Sequence, residues 1–231
     1  MNNRLVIMSA GKNSRFNSEE KIFADINGKS NIENTYELAS NVFSEIYLAV
    51  DERWFKKYSK VPNGITVINT IGGKGDIYSI YHLLKNLKGI FENDIVTICW
   101  GDAVFVSDIP FKEFTSQYVD DYDTFVAVSK DRFPYAWFDV DGNFVQKAYF
   151  KKTDGTVSVG LHDQSLFGMR ISSLASISEY ISLPNNNEYK TLKYLEWLYS
   201  SRYKSAKYCN ITKNNVKSFN TKEELERIVK C

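Results

Sequence analysis

The sequence predicts an α/β fold: a mostly parallel, twisted sheet with helices on both faces and an antiparallel hairpin inserted in the second half. Three observations lead there. Short apolar runs in the first 130 residues alternate with amphipathic stretches of helical period. The runs are apolar throughout rather than at every second residue, the pattern of strands covered on both faces. Beyond residue 130 the rhythm changes to short alternating segments joined by Asp-Gly turns, a hairpin signal. With 231 residues, 43% of them hydrophobic, the chain has enough apolar surface for one large, well-buried domain over 1–231.

Strands are expected at Leu5–Met8, Glu45–Val50, Ile65–Asn69, Ile95–Trp100 and Thr124–Ser129, with helices between them at Ile32–Phe43, Arg53–Lys60, Ile77–Leu87 and Phe111–Tyr118. Asp51 and Asp76 stand where N-caps of the second and third of these helices belong. The hairpin pairs Tyr135–Val140 with Phe144–Phe150 across Asp141-Gly142-Asn143. A turn at Asp154-Gly155 leads to a strand near Val157–Leu161, followed by a second candidate at Leu166–Ile171. Leu192, Leu195, Trp197 and Leu198 give Tyr189–Tyr203 a helical period. The chain ends with strand Val216–Phe219 and helix Thr221–Lys230, whose start is set by the capping box Thr221/Glu224. No repeat or low-complexity linker interrupts it.

Composition excludes several functions. Lys and Arg number 29 against 28 Asp and Glu, so no global field draws the protein to nucleic acid or an anionic membrane. Cys99, Cys209 and Cys231 lack C-x-x-C spacing, and His82 and His162 are the only histidines, so neither disulfides nor structural zinc are expected. The N-terminus lacks the apolar segment of a signal peptide and no window reaches ~18 apolar residues. A soluble, cytoplasmic protein with reduced thiols is expected, and a homodimer is left open.

The chemistry concentrates where the first strand ends. The run Arg4–Ser9 breaks into Ala10-Gly11-Lys12-Asn13-Ser14-Arg15-Phe16, with Lys21 and Asn27-Gly28-Lys29 beyond. Small residues let backbone N–H groups approach a polyphosphate, and the cations neutralise it. Ligands of open α/β sheets bind beyond the carboxyl ends of strands. Three further groups lie at such ends: Ile71-Gly72-Gly73-Lys74-Gly75-Asp76, Gly101-Asp102, and Asn220. A carboxylate beside glycine can hold Mg²⁺, which binds through one or two protein oxygens plus substrate phosphates. The bland alternative for Gly101-Asp102 alone is a surface turn, and for Lys12, Arg15 and Lys21 a set of solvated loop charges.

The run S-A-G-K-N-S-R-F with Lys21 and Gly28-Lys29 resembles the signature loop of the nucleoside triphosphate transferase superfamily, of MobA-like and sugar-nucleotidyltransferase fold. D-I-V-T-I-C-W-G-D looks like its metal-binding strand and V-K-S-F-N-T-K-E-E-L like its closing motif. The resemblance implies a Rossmann-like, glycosyltransferase-A-like nucleotidyltransferase fold with a nucleotide-binding half (1–130) and an acceptor-binding half (131–231). Ser9 and the loop Ala10, Gly11, Lys12, Asn13, Ser14 would cradle the triphosphate, and Arg15 would hold the departing pyrophosphate. Lys21 would stabilise transfer at the α-phosphorus, with Gly101 beside Asp102 and with Asp102 and Asn220 on Mg²⁺. Two departures stand out: Asn13 replaces the second glycine of the loop, and Glu20 stands where the family has proline before the lysine. Asn tolerates a left-handed backbone better than most residues.

The segment G-D-I-Y-S-I-Y-H-L-L resembles that of phosphocholine cytidylyltransferases. By that analogy Gly72, Gly73, Asp76 and Ser79 would surround a cytosine, making CTP the donor; Ser79 as a mere helix residue is the alternative. For the acceptor, Val145–Lys152 contains Lys147, Lys151 and Gln146 but no acid, which suits an anionic or amide-bearing molecule. Lys147, Lys151, Tyr135 and Gly168 are the acceptor candidates. Small cytidylyltransferases that activate glutamine phosphate for capsular phosphoramidate are of this kind. A sugar 1-phosphate or phosphocholine is the alternative, the latter resting on Trp100, Tyr135, Trp137 and Tyr149 as an aromatic cage. A non-catalytic nucleotide-binding module is the competing class, and a dinucleotide-binding dehydrogenase is disfavoured by the missing G-x-G-x-x-G.

Overall fold

The computed structural model describes residues 3–11, 16, 20–56, 58–91, 94–184, 190–213 and 215–229. In chain order it comprises β1 (Arg4–Ser9), β2 (Asp25–Ile26), β3 (Lys29–Ser30), α1 (Asn31–Ala39), β4 (Glu45–Val50), β5 (Ile65–Asn69), α2 (Asp76–Asn86), β6 (Ile95–Trp100) and β7 (Ala103–Phe105). Then follow α3 (Ile109–Thr115), β8 (Thr124–Arg132), β9 (Ala136–Asp141), β10 (Phe144–Phe150), the single-turn α4 (Lys151–Asp154), β11 (Val159–Arg170), α5 (Leu174–Ile181), α6 (Thr191–Ser200), β12 (Lys207–Asn210), β13 (Val216–Ser218) and α7 (Lys222–Val229).

One nine-stranded sheet runs β5-β4-β1-β6-β11-β8-β12-β10-β9. Its first four strands are parallel, as continuous apolar runs separated by helices require. From β11 onward the sheet is mixed: β11 runs antiparallel to both β6 and β8, while β12 is parallel to β8. Two cores flank it. Leu5, Ile7 and Leu48 pack with Ile32, Phe43, Phe111 and Phe114 on the face of α1 and α3. Val6, Met8 and Ile98 pack with Ile80, Leu83, Ile177 and Leu195 on the face of α2, α5 and α6. Alternate residues of a strand point to opposite faces, so each central strand needs apolar residues at nearly every position. Among the described residues no helix is long and apolar enough to cross a membrane.

Several expectations are corrected. Arg53–Lys60 is not an α-helix. The N–H groups of Trp54 and Phe55 both return to the Asp51 carbonyl, the Lys56 N–H is taken by the Glu20 carboxylate at 2.8 Å, and only a 3₁₀ turn, Tyr58–Lys60, remains. Asp51 therefore caps a turn. Asp76 is the first residue of α2, whose cap is Gly75, and its carboxylate instead accepts the Thr191 N–H that opens α6. The two strand candidates around residues 157–171 are one strand, β11, interrupted by a register shift between Asp163 and Phe167 where Ser165 has φ 59°. This is a bulge, which leaves a polar break in the apolar pattern of an otherwise continuous strand. Helices α4 and α5 and the short strands β2, β3, β7 and β12 were not anticipated.

Two small features place the end of the chain. Antiparallel β13 pairs with β7, Ser218 facing Ala103, and the Phe219 N–H donates to the Asp102 carbonyl at 3.2 Å. Phe219 is fully buried against Phe16, and the Thr221/Glu224 capping box forms as expected.

Candidate active site

The carboxyl ends of β1 and β6 lie side by side because the two strands are parallel neighbours. The Gly101 N–H donates to the Met8 carbonyl at 2.9 Å, and a Cβ on Gly101 would stand 2.9 Å from that oxygen, so only glycine lets the β6 turn close against β1. Asp102 follows directly. Asn31, fully buried at the start of α1, donates from Nδ2 to the carbonyls of Gly101 and Ala103, both at 3.0 Å. The carbonyls of both neighbours of Asp102 are thereby fixed by a residue that sequence reasoning missed. A polar residue opening an amphipathic helix was its only signal.

Lys21 stands in a 3₁₀ turn, Lys21–Phe23, pinned by the buried side chain of Ile22 beside Gly101. Its Nζ lies 2.9 Å from Asp102 Oδ2 and 3.1 Å from Asn220 Oδ1. Three residues expected to act together thus meet at one point. Glu20, which departs from the family's proline, holds the Lys56 N–H and so ties the Lys21 turn to the segment after β4.

A cavity of about 340 Å³ opens beside this cluster, lined by Met8, Ala10, Gly11, Gly73, Gly75, Asp76, Ser79 and Trp100. Ser9 ends β1 next to Gly101, and Gly72 packs beneath Ala10. Ser79 is buried, its hydroxyl donating to the Ile71 carbonyl at 2.7 Å. Lys12, Asn13, Ser14 and Arg15 lie outside the described residues.

A second cleft of about 310 Å³ contains Asp102 and Asn220 and extends to Asp76, Trp100, Tyr135, Phe150, His162, Asp163, Phe167 and Lys190. The acceptor candidates divide here. Tyr135 lines the cleft. Lys147 and Lys151 do not: the Lys147 ammonium lies over the Tyr149 ring at 4.9 Å, on the hairpin's outer side, and Lys151 is exposed. Trp137 and Tyr149 stack on each other at 5.4 Å rather than forming a cage with Trp100. Gly168 is buried in β11, and a Cβ there would meet the Tyr118 hydroxyl at 2.8 Å, so its place is set by packing against the side facing α3. Besides Asp76 and Asp102, the cleft holds Lys190, whose ammonium lies 4.8 Å over Phe150, and Asp163 at the β11 bulge. Neither stands in a sequence pattern; the bulge turns Asp163 inward.

Asp76 Oδ1 accepts from the N–H groups of Ile77 at 2.9 Å and Thr191 at 2.7 Å, joining the N-termini of α2 and α6 at the edge of both cavities. Burial nevertheless outweighs these bonds and pushes its carboxyl up to about 6.

Oxygens of Asp102 and Asn220 within hydrogen-bond reach of one ammonium are aimed at a common point. Hard oxygen donors suit Mg²⁺. Among the described residues no group of three or more His, Cys, Asp or Glu could hold a metal, so a cation here would draw its other ligands from phosphates and water, which is the habit of Mg²⁺. The donor set fits.

The model of the MobA-like NTP transferase domain matches residues 5–180. A probable molybdenum cofactor guanylyltransferase of Aquifex aeolicus is 34% identical over 86 residues, 37% of this chain and 41% of that protein. This stretch is well under two thirds of the relative's length. Among solved structures, the inositol-1-phosphate CTP transferase from T. maritima superposes with a TM-score of 0.74 at 16% identity, covering 99% of this chain and 95% of the other. HddC from Yersinia pseudotuberculosis gives 0.72 at 16% identity, covering 99% and 98%. At this identity the two superpositions speak to the fold.

Two outcomes are expected. A carboxyl whose folded pKa exceeds its unfolded value resists ionisation in the native state. Its contribution to stability therefore falls as pH rises from about 4 to about 6 and is level above. The stability of wild type relative to Asp76→Asn should drop by about 2–3 kcal/mol across that window in chemical unfolding; a gap independent of pH contradicts the burial account. Gly168→Ala should destabilise by about 1–3 kcal/mol through crowding of Tyr118 while leaving the acceptor KM unchanged; a raised KM with normal stability would return Gly168 to the acceptor site.

Proposed function

The chain belongs to the MobA-like NTP transferase domain family, and from that premise we propose that it transfers CMP from CTP to a small phosphorylated acceptor, with Mg²⁺, releasing pyrophosphate. The observation that carries the reading is the meeting of Lys21, Asp102 and Asn220 at 2.9 and 3.1 Å, with Asp102 and Asn220 lining the second cleft. In this reading residues 1–130 hold the nucleotide and residues 131–231 supply most of the acceptor side, within one cytoplasmic domain. The cavity lined by Gly11, Gly73, Gly75 and Ser79 receives the base and ribose, and the cleft beyond Trp100 receives the acceptor.

An acceptor phosphate oxygen attacks the α-phosphorus in line, a new P–O bond forms, and the bond to the β-phosphate oxygen breaks. Asp102 and Asn220 would hold Mg²⁺, whose charge would offset that of the triphosphate. Lys21 donates to the α-phosphoryl oxygens as charge shifts toward the leaving group, an electrostatic role in a partly desolvated site. Trp100 and Asp76 mark the boundary across which the two substrates are held in attacking geometry. No protein nucleophile is required.

For the acceptor, glutamine phosphate in the making of a capsular phosphoramidate remains the first candidate, on different residues from those the sequence pointed to. An amino-acid head carries both signs of charge, and the cleft offers Lys190 for its carboxylate and Asp163 for its ammonium. Phosphocholine is the second reading, supported by Trp100, Tyr135, Phe150 and Phe167 in the same cleft.

Pyrophosphate release should be fastest with CTP and glutamine phosphate in a matrix of the four nucleoside triphosphates against glutamine phosphate, phosphocholine and sugar 1-phosphates. Turnover confined to phosphocholine would transfer the assignment to the second reading, and release with no triphosphate would end the enzymatic one. Asp102→Asn should lower kcat by roughly 10²–10³-fold with the fold intact; near-normal Mg²⁺-dependent turnover would remove Asp102 from the site.

A further inference from the structure

Gly72 is the point where the two loops of the nucleotide cavity touch. A Cβ there would lie 2.1 Å from the Ala10 carbonyl oxygen and 2.6 Å from the Trp54 ring, so its backbone is wedged between them. Both of its peptide groups are tied to the segment after β4. The N–H donates to Asp51 Oδ2 at 2.8 Å, and the carbonyl accepts from Arg53 Nη2 at 3.3 Å. Arg53 is itself fixed by a two-pronged pairing with the Asp51 carboxylate, Nε to Oδ1 at 2.9 Å and Nη2 to Oδ2, and by stacking 4.8 Å over Trp54. Beyond Gly72, the tip Gly73–Gly75 is exposed with φ of 83° at Gly73 and 112° at Gly75, and a Cβ on Gly73 would strike Trp54 at 2.6 Å. The side chain of Asp51 is almost wholly buried and that of Arg53 mostly exposed.

A buried carboxylate that spends one oxygen on a loop N–H, and an exposed arginine that reaches the adjoining carbonyl, contribute little to either apolar core. Neither touches the cavity. We infer that Asp51 and Arg53 are positioning residues for the nucleotide. By holding both peptide groups of Gly72 they set the spacing between the Ala10–Gly11 loop and the Gly73–Gly75 loop, and so the affinity for the base and ribose. This inference rests on the nucleotide reading of that cavity. Backbone groups that bind a ligand do so without reorganisation only when something else holds them, which is the function of such an outer clamp. The bonds to Arg53 and Gly72 hold the Asp51 carboxyl down at about 2, so the clamp stays charged throughout the working range of pH.

The experiment is calorimetric titration of each nucleoside triphosphate with Mg²⁺ into wild type, Arg53→Ala, Arg53→Lys and Asp51→Asn, with steady-state kinetics alongside. Losing a charge-assisted hydrogen bond should raise the Kd for CTP about tenfold in Arg53→Ala. The acceptor KM should stay unchanged and kcat within about twofold of wild type. Arg53→Lys, which keeps the charge without the planar fork, should fall between. Asp51→Asn should be weaker still; where it fails to fold, the exposed Arg53 variants decide. Wild-type affinity in Arg53→Ala, or a parallel loss in kcat and acceptor KM, overturns the clamp. Wild type binding none of the four triphosphates overturns the nucleotide reading instead.

Discussion

An ammonium shared between a carboxylate and a carboxamide, brought together from 81 and 199 residues away, is the constraint around which this molecule is built. Lys21, Asp102 and Asn220 come from three separate segments, and no local interaction draws them together. Asp102 depends on β6 lying beside β1 and on Asn31 gripping the carbonyls that flank it. Lys21 depends on Ile22 seating beneath Gly101. Asn220 depends on the short β7–β13 ladder and on Phe219 buried against Phe16. The Lys21 ammonium, 2.9 Å from the partly exposed Asp102 carboxylate, orients oxygen atoms that suit a hard cation. The nine-stranded sheet holds these three points in register.

The first half was legible because its signals are local. Leu5–Met8, Glu45–Val50 and Ile95–Trp100 are largely buried on both faces, and each reads as a continuous apolar run ending in small or acidic residues, while Ile65–Asn69 forms the half-exposed edge of the sheet. Gly101, Asp102 and Asn220 sit at the ends of such runs, where open sheets bind their ligands. The helix expected at Arg53–Lys60 failed for a tertiary reason. Glu20 takes the Lys56 N–H, while Phe55 buries itself and stacks edge-on with Tyr58. Propensity gave way to contacts from a segment more than thirty residues away.

The second half was less legible because its cleft is made by distortion and by the chain's return. Asp163 faces the cleft through a bulge in β11, and a bulge leaves no periodic trace in sequence. Lys190 precedes α6, a place reached only when Asp76 of α2 captures the first N–H of that helix. Lys147, conspicuous in sequence, stands exposed on β10 beside a register irregularity, and Lys151 is exposed at the start of the single-turn α4. Asp51 reads in sequence as a helix cap and Gly72 as part of a glycine-rich loop, and neither signal shows that Asp51 holds the Gly72 N–H.

The central claim is that the convergence of residues 21, 102 and 220 exists to receive a metal-bound triphosphate. It is tested most directly by a crystal structure of the protein with CTP and Mn²⁺, the ion located by its anomalous scattering. The account predicts a metal about 2 Å from both the Asp102 carboxylate and the Asn220 carboxamide oxygen. The triphosphate should bridge from it, and the Lys21 ammonium should have moved from Asp102 to the α-phosphate. A metal and triphosphate bound elsewhere, with Lys21 still lodged between Asp102 and Asn220, would contradict it.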